Sequence, residues 1–157
     1  MKTIFAITIL LLSGLNCFSQ TVLDTDGLNN PDNAFLYALR EYCKTLDPAI
    51  TKIVYVEKEH FIGDSWPEEI DGFQIEYLDT KEKYKRAIKK NKGSIIAVGI
   101  RPLNFRDGNF YVSVIPFLVT YEKRKIVFSN GGGWNIYFDY DPEKKGLIYK
   151  SKQNFGI

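Results

Sequence analysis

Cysteine and histidine are almost missing from this 157-residue chain, which holds two of the first, Cys17 and Cys43, and one of the second, His60. A lone histidine excludes the usual zinc sets, which need several His or Cys ligands converging on one ion. No uninterrupted run of about 20 apolar residues occurs, so no segment is built to cross a bilayer as a helix. There is no internal repeat, low-complexity tract or interdomain linker. Nor is there an excess of either charge. With 21 basic and 19 acidic side chains the surface is not built to hold a polyanion, and nucleic acid is not an expected partner.

The front of the chain has the three-part pattern of a secretory signal peptide. Lys2 supplies a positive start, Thr3 to Leu12 is apolar and uncharged, and Ser13 to Ser19 turns small and polar. Cleavage between Ser19 and Gln20 places Cys17 and Ser19 where the peptidase wants small side chains. The expected product is an exported bacterial protein, periplasmic or secreted. The alternative uses Cys17 for lipid attachment and anchors the chain to a membrane, although Leu15 and Asn16 suit that signal poorly. Residues 1–19 are thus read as signal, 20–30 as a flexible lead-in, and 31–157 as one domain. Without its first 19 residues the chain keeps 138, with 20 basic side chains against 19 acidic, and Cys43 alone. One cysteine makes no internal disulfide, so stability has to come from packing.

Aromatic residues are abundant, at 15% with ten Tyr and eleven Phe, as suits a strand-rich core. Asn30 is placed to cap a first helix with Pro31 at its first position. Phe35, Leu39, Tyr42, Cys43 and Leu46 then recur at helical spacing as far as Asp47-Pro48. Ile53 to Val56 is a β run, and Phe73, Ile75 and Tyr77 alternate with polar neighbours as a half-buried strand does. Asp79 with Glu82 resembles a capping box for a second, basic helix ended by Gly93. From Ser94 onward strands alternate with tight turns at Asp107-Gly108, Glu122-Lys123-Arg124 and 141–146. The strand from Phe110 to Tyr121 carries Val112, Val114 and Leu118 on one face and Tyr111, Ile115, Phe117 and Val119 on the other, which makes it central.

The expected fold class is α+β: a curved, mostly antiparallel sheet of five or six strands, with a C-terminal meander. It packs on one N-terminal helix, with a second short basic helix at one side. One helix followed by a strand meander resembles, in element order, the cystatin-like and nuclear-transport-factor-like folds. That likeness implies no activity, because function resides in sites and not in folds.

Few residues are equipped for chemistry. His60 with Glu57, Glu59 or Asp64 is the candidate acid/base set of a small cell-envelope hydrolase or lyase, although neighbours on a strand point to opposite faces. Cys43 sits on the apolar stripe of the first helix, where a thiol is an inert small hydrophobe. Gly131, Gly132 and Gly133 before Trp134 form the most unusual stretch. They suit a sheet bulge, or a ligand or partner approaching bare backbone beside the indole. The following Lys-Ser/Thr of a phosphate loop is missing. Arg101 is a second candidate for binding an anion or ion-pairing at a strand end. The alternating carboxylates Asp139, Asp141 and Glu143 lack the glycine and distal glutamate of a calcium loop and read as a turn. Lys81, Lys85, Arg86 and Lys89 give the second helix a basic face, either solvated or resting on an anionic envelope surface. No metal and no cofactor is called for. The expected function is non-enzymatic binding, of the inhibitor or immunity kind, with a protein partner or a small ligand.

Overall fold

The computed structural model describes residues 33–63 and 65–156. The signal 1–19, with Cys17, the lead-in 20–30, the Asn30-Pro31 start and Asp64 lie outside the described residues. Helix α1 (Ala34–Cys43) is capped by Asn33, whose Oδ1 accepts from the Leu36 N–H at 3.2 Å. The cap therefore falls three residues later than the expected Asn30. The helix also stops before Asp47-Pro48. The N–H groups of Thr45 and Leu46 turn back to the carbonyls of Tyr42 and Cys43 at 2.8 and 3.0 Å, taking the acceptors that another α-turn would use.

Helix α2 (Lys81–Lys90) is capped by Thr80, whose hydroxyl accepts from the Lys83 N–H at 3.3 Å. The expected box of Asp79 with Glu82 is replaced by this cap, because Asp79 is drawn to the Lys83 ammonium at 2.8 Å. Past the helix end, Gly93 donates its N–H to the Ile88 carbonyl at 2.9 Å with a φ of +111°, a conformation that glycine adopts without strain.

The strands are β1 (Ile53–Glu57), β2 (Glu69–Ile70), β3 (Phe73–Leu78), β4 (Ser94–Ile100), β5 (Asn104–Arg106), β6 (Asn109–Glu122), β7 (Lys125–Asn130), β8 (Gly132–Asp141) and β9 (Gly146–Gly156). They form one sheet in the order β2-β3-β1-β4-β6-β8-β9, with β5 and β7 each paired to β6. The class is α+β with mostly antiparallel pairing, as expected, but with nine strands in place of five or six. The N-terminal half departs from a meander: β3, β1 and β4 run parallel. A strand leaving β3 through α2 has to cross the sheet to start β4, and such a crossover yields parallel neighbours. From β4 onward pairing is antiparallel. Its turns at Asp107-Gly108 and Lys123-Arg124 hold positive φ at both central residues, the geometry that matches strand twist.

Alternation along the strands sends apolar side chains to two cores. On one face Val54, Val56, Ile100, Val112, Val114, Ile136 and Phe138 are buried against Leu39 and its neighbours on α1. On the other, Tyr55, Ile95, Ala97 and Val119 meet Tyr84, Ala87 and Ile88 of α2. Each fully buried Val, Leu or Ile contributes about 1.5–3 kcal/mol relative to exposure. The second helix thus covers the opposite face and does not lie at one side. Strand β6 is central, with Val112 and Val114 in one core and Val119 in the other. Its second face is covered over part of its length: α1 packs on β6 and β8, whereas α2 packs on β3, β4 and β6. The antiparallel half therefore keeps an open face on the side away from α1.

Candidate functional site

Two neighbouring glutamates and an arginine more than 40 residues away meet at the C-terminal ends of the parallel strands. Arg101, just past β4, reaches Glu57 at the end of β1 at 3.5 Å and Glu59 at 3.3 Å. Its guanidinium also lies over the Phe117 ring, 5.4 Å from the centroid. Burial raises the Glu57 carboxyl above its usual range; Arg101 acts against this and Glu59 with it. Beside them, burial and the two carboxylates push the Tyr84 phenol well above its usual range. A larger residue at position 99 would have to push this cluster aside. A Cβ on Gly99 would stand 2.9 Å from both the Arg101 guanidinium and the Phe117 ring. Arg101 is thus engaged by two carboxylates, an arrangement that orders the strand ends.

His60 does not share that cluster. It is exposed, and its ring stands edge-on to Phe61 with centroids 5.4 Å apart. Glu57 and Glu59, its expected partners, are turned to Arg101. The Cys43 thiol is fully buried, and burial pushes its pKa up to about 12, so it stays protonated at neutral pH.

Two of the three glycines, Gly132 and Gly133, have a packing role. Along β6, Phe117 pairs with Asn130 and Val114 with Trp134, so four steps on one strand face three on the other. That is one extra residue, a β-bulge, and it joins β7 to β8 as one bent strand. A Cβ on Gly132 would come within 2.3 Å of the Phe155 carbonyl oxygen, and one on Gly133 within 2.7 Å of that of Val114. Gly131 has open space around its Cα. The Gly132 N–H donates to Asn130 Oδ1 at 2.6 Å, so this donor is used internally. Trp134 packs against the α1 core, with Lys152 over its ring at 6.0 Å. Trp134 and Arg101 consequently belong to opposite faces. Beside the bulge a shallow groove of about 350 Å³ exposes Ile96 and Leu118, which pair across β4 and β6.

On α2, Lys81, Arg86 and Lys89 are exposed, while Lys85 lies half-buried over the Tyr121 ring at 5.3 Å. The basic face is solvated on one side and held by an aromatic ring on the other.

A larger groove, of about 470 Å³, lies on the open face of the antiparallel half. Tyr111 of β6 and Tyr137 of β8 are direct cross-strand partners, with ring centroids 5.7 Å apart. One step along, Ser113 donates its hydroxyl proton to Asn135 Oδ1 at 2.7 Å. This fixes the Asn135 amide so that its Nδ2 faces the Tyr137 hydroxyl at 3.5 Å. Strand β9 adds Gln153, opposite Asn135, and Lys150, which is held by Asn109 at 2.7 Å and Asp139 at 3.1 Å. Sequence reasoning missed this set. Its signal is the alternation of polar and phenolic residues at 109, 111 and 113, at 135 and 137, and at 151 and 153. Those positions share one face only once β6, β8 and β9 are known to be neighbours.

The chain matches no protein family, and comparisons with curated proteins and with solved structures find no match either. Among the described residues no three His, Cys, Asp or Glu side chains are grouped to hold a metal ion, and no helix is long and apolar enough to cross a membrane.

Proposed function

We propose that this protein is a non-enzymatic binding module that receives its ligand on the open face of the antiparallel half of its sheet. The observation that carries the reading is the groove between Tyr111, Asn135, Tyr137 and Gln153, in which the Ser113 hydrogen bond holds the Asn135 amide before any ligand arrives. Preorganisation of this kind lowers the entropic cost of binding. The groove volume falls in the range of about 300–1,000 Å³ that small-molecule sites occupy. The reading is also supported by what the reactive residues do instead: Cys43 is buried and protonated, Glu57 and Glu59 hold Arg101, and His60 rests on Phe61. Export through Met1 to Ser19 belongs to this proposal, with the ligand met outside the cytoplasm.

The test is a ligand-observed NMR screen of the folded protein against a soluble library of saccharides, peptides and nucleotides. It is repeated with a Tyr111→Ala/Tyr137→Ala double variant whose fold is checked by circular dichroism. The expected outcome is a set of binders whose signals are lost in the variant. Binders that the variant retains unchanged would place the ligand elsewhere on the molecule.

A further inference from the structure

We propose that the ligand of the open-face groove is a short uncharged saccharide, an inference that rests on the reading of that groove as the binding site. Three features of the groove argue for this class. The first is the pair of phenolic rings. Tyr111 and Tyr137 are half-buried, adjacent and tilted at 45° to one another, which gives an aromatic platform with a hydroxyl at its rim. A sugar ring presents a face of C–H groups to such a surface, while its hydroxyls need partners around the edge.

The second feature is the type of polar group. Each sugar hydroxyl both donates and accepts, so the matching side chains are amides and hydroxyls, which also do both. The groove supplies the amides of Asn135, Gln153 and Asn109 together with the hydroxyl of Ser151. The Ser113 bond fixes one of these amides, so its orientation is set before the ligand arrives.

The third is charge. Lys150 is paired with Asp139 at 3.1 Å and Arg106 with Asp107 at 3.4 Å, so each cation at the groove is matched by a carboxylate. Such a surface gives no net attraction to a phosphate, sulfate or uronate. It also lacks the aliphatic anchors of a protein interface: its lining has no Leu, Ile, Val or Met, whereas the centre of a protein–protein contact is desolvated and apolar. The apolar groove at Ile96 and Leu118 lies on the other face and does not extend it.

The experiment uses a glycan array carrying neutral oligosaccharides alongside sulfated and uronate-containing ones. The strongest neutral binder is then titrated calorimetrically into wild type, Tyr137→Ala and Gln153→Ala, at low and at high salt. Gln153 is exposed, so its variant reports on binding with the fold intact. Wild type is expected to bind neutral glycans with little effect of salt. Tyr137→Ala should weaken this more than about tenfold, and Gln153→Ala about threefold or more. Absence of any glycan binding overturns the inference, as does affinity unchanged in both variants, or binding confined to the anionic glycans that salt abolishes. A peptide array run in parallel separates the two levels of the argument. Peptide binding that both variants lose, without glycan binding, refutes the saccharide and leaves the groove as the binding site.

Discussion

Lys152 on the edge strand β9 reaches Glu41 on α1 at 3.3 Å, joining two residues 111 positions apart. Glu41 is 5% exposed, the one buried charged residue among those described. The Lys152 ammonium also donates to the Glu41 backbone carbonyl at 3.1 Å, and Lys44 takes the other carboxylate oxygen. Burial by itself raises the Glu41 pKa, but the bonds from Lys44 and Lys152 outweigh it and the net shift is downward. The pair fastens β9 to α1 and holds Lys152 over Trp134.

Glu41→Gln is expected to cost about 1.5–3 kcal/mol near neutral pH, the worth of hydrogen bonds to a charged group. A folded pKa below the unfolded value of 4.5 means that Glu41 contributes fully above that value. The contribution is lost as pH falls through the folded value. Urea denaturation from neutral to acid pH should show wild type converging on the variant at low pH. A gap between them that stays constant with pH contradicts the assignment.

Arg101→Met should likewise cost more at neutral pH than in acid, here through a carboxyl whose pKa is raised and not lowered. With its cation gone, the Glu57 carboxyl, already raised by burial, titrates higher still. A folded pKa above the unfolded value destabilises the protein as pH rises through that window. The variant is therefore expected to lose about 1 kcal/mol at neutral pH, kept small because the Arg101 side chain is 36% exposed and screened, and less in acid. Carboxyl carbon NMR titration of Glu57 in the two proteins checks the direction.

The glycine bulge yields a contrast within three residues. Gly133→Ala forces a Cβ against the Val114 carbonyl at 2.7 Å and is expected to cost about 1–3 kcal/mol. Gly131→Ala meets nothing within 4 Å and is expected to stay within about 0.5 kcal/mol of wild type. Thermal denaturation of the two variants distinguishes a packing role for these glycines from a general need for flexibility.

Cys43 should be unreactive until the chain unfolds. In a protein carrying Cys17→Ser, thiol labelling at neutral pH is expected to follow the denaturation curve, because a buried thiol raised to about 12 offers almost no thiolate. Rapid labelling of the native protein contradicts this.

Much of the fold is legible in the sequence where one element speaks for itself. The stripe of Leu39, Tyr42 and Cys43, the alternation of Phe73 and Ile75, and the turn at Asp107-Gly108 each carry a local signal. Strands β2 and β5, with two and three residues, are too short to show a period. The caps are Asn33 and Thr80, whose side-chain oxygens accept from the N–H groups of Leu36 and Lys83, and position in a sequence does not show which oxygen reaches which N–H. The parallel half depends on which strand lies beside β1, a question that alternation cannot answer. The same limit hid the sites. Arg101 meets Glu57 and Glu59 from 44 and 42 residues away. Tyr111, Asn135 and Gln153 look like ordinary solvent-facing strand positions until three strands are set side by side.

The open face of the antiparallel half is the centre of this account, and backbone chemical-shift mapping tests it most directly. The isotope-labelled protein is titrated with a soluble mixture of neutral oligosaccharides and short peptides while every amide is followed. Shifts are expected to concentrate at Tyr111, Ser113, Asn135, Tyr137 and Gln153, with Lys81 to Lys90 and the Ile96–Leu118 surface unmoved. Shifts centred on α2, on Ile96 and Leu118, or on Glu57 and Arg101 with the open face silent would contradict it.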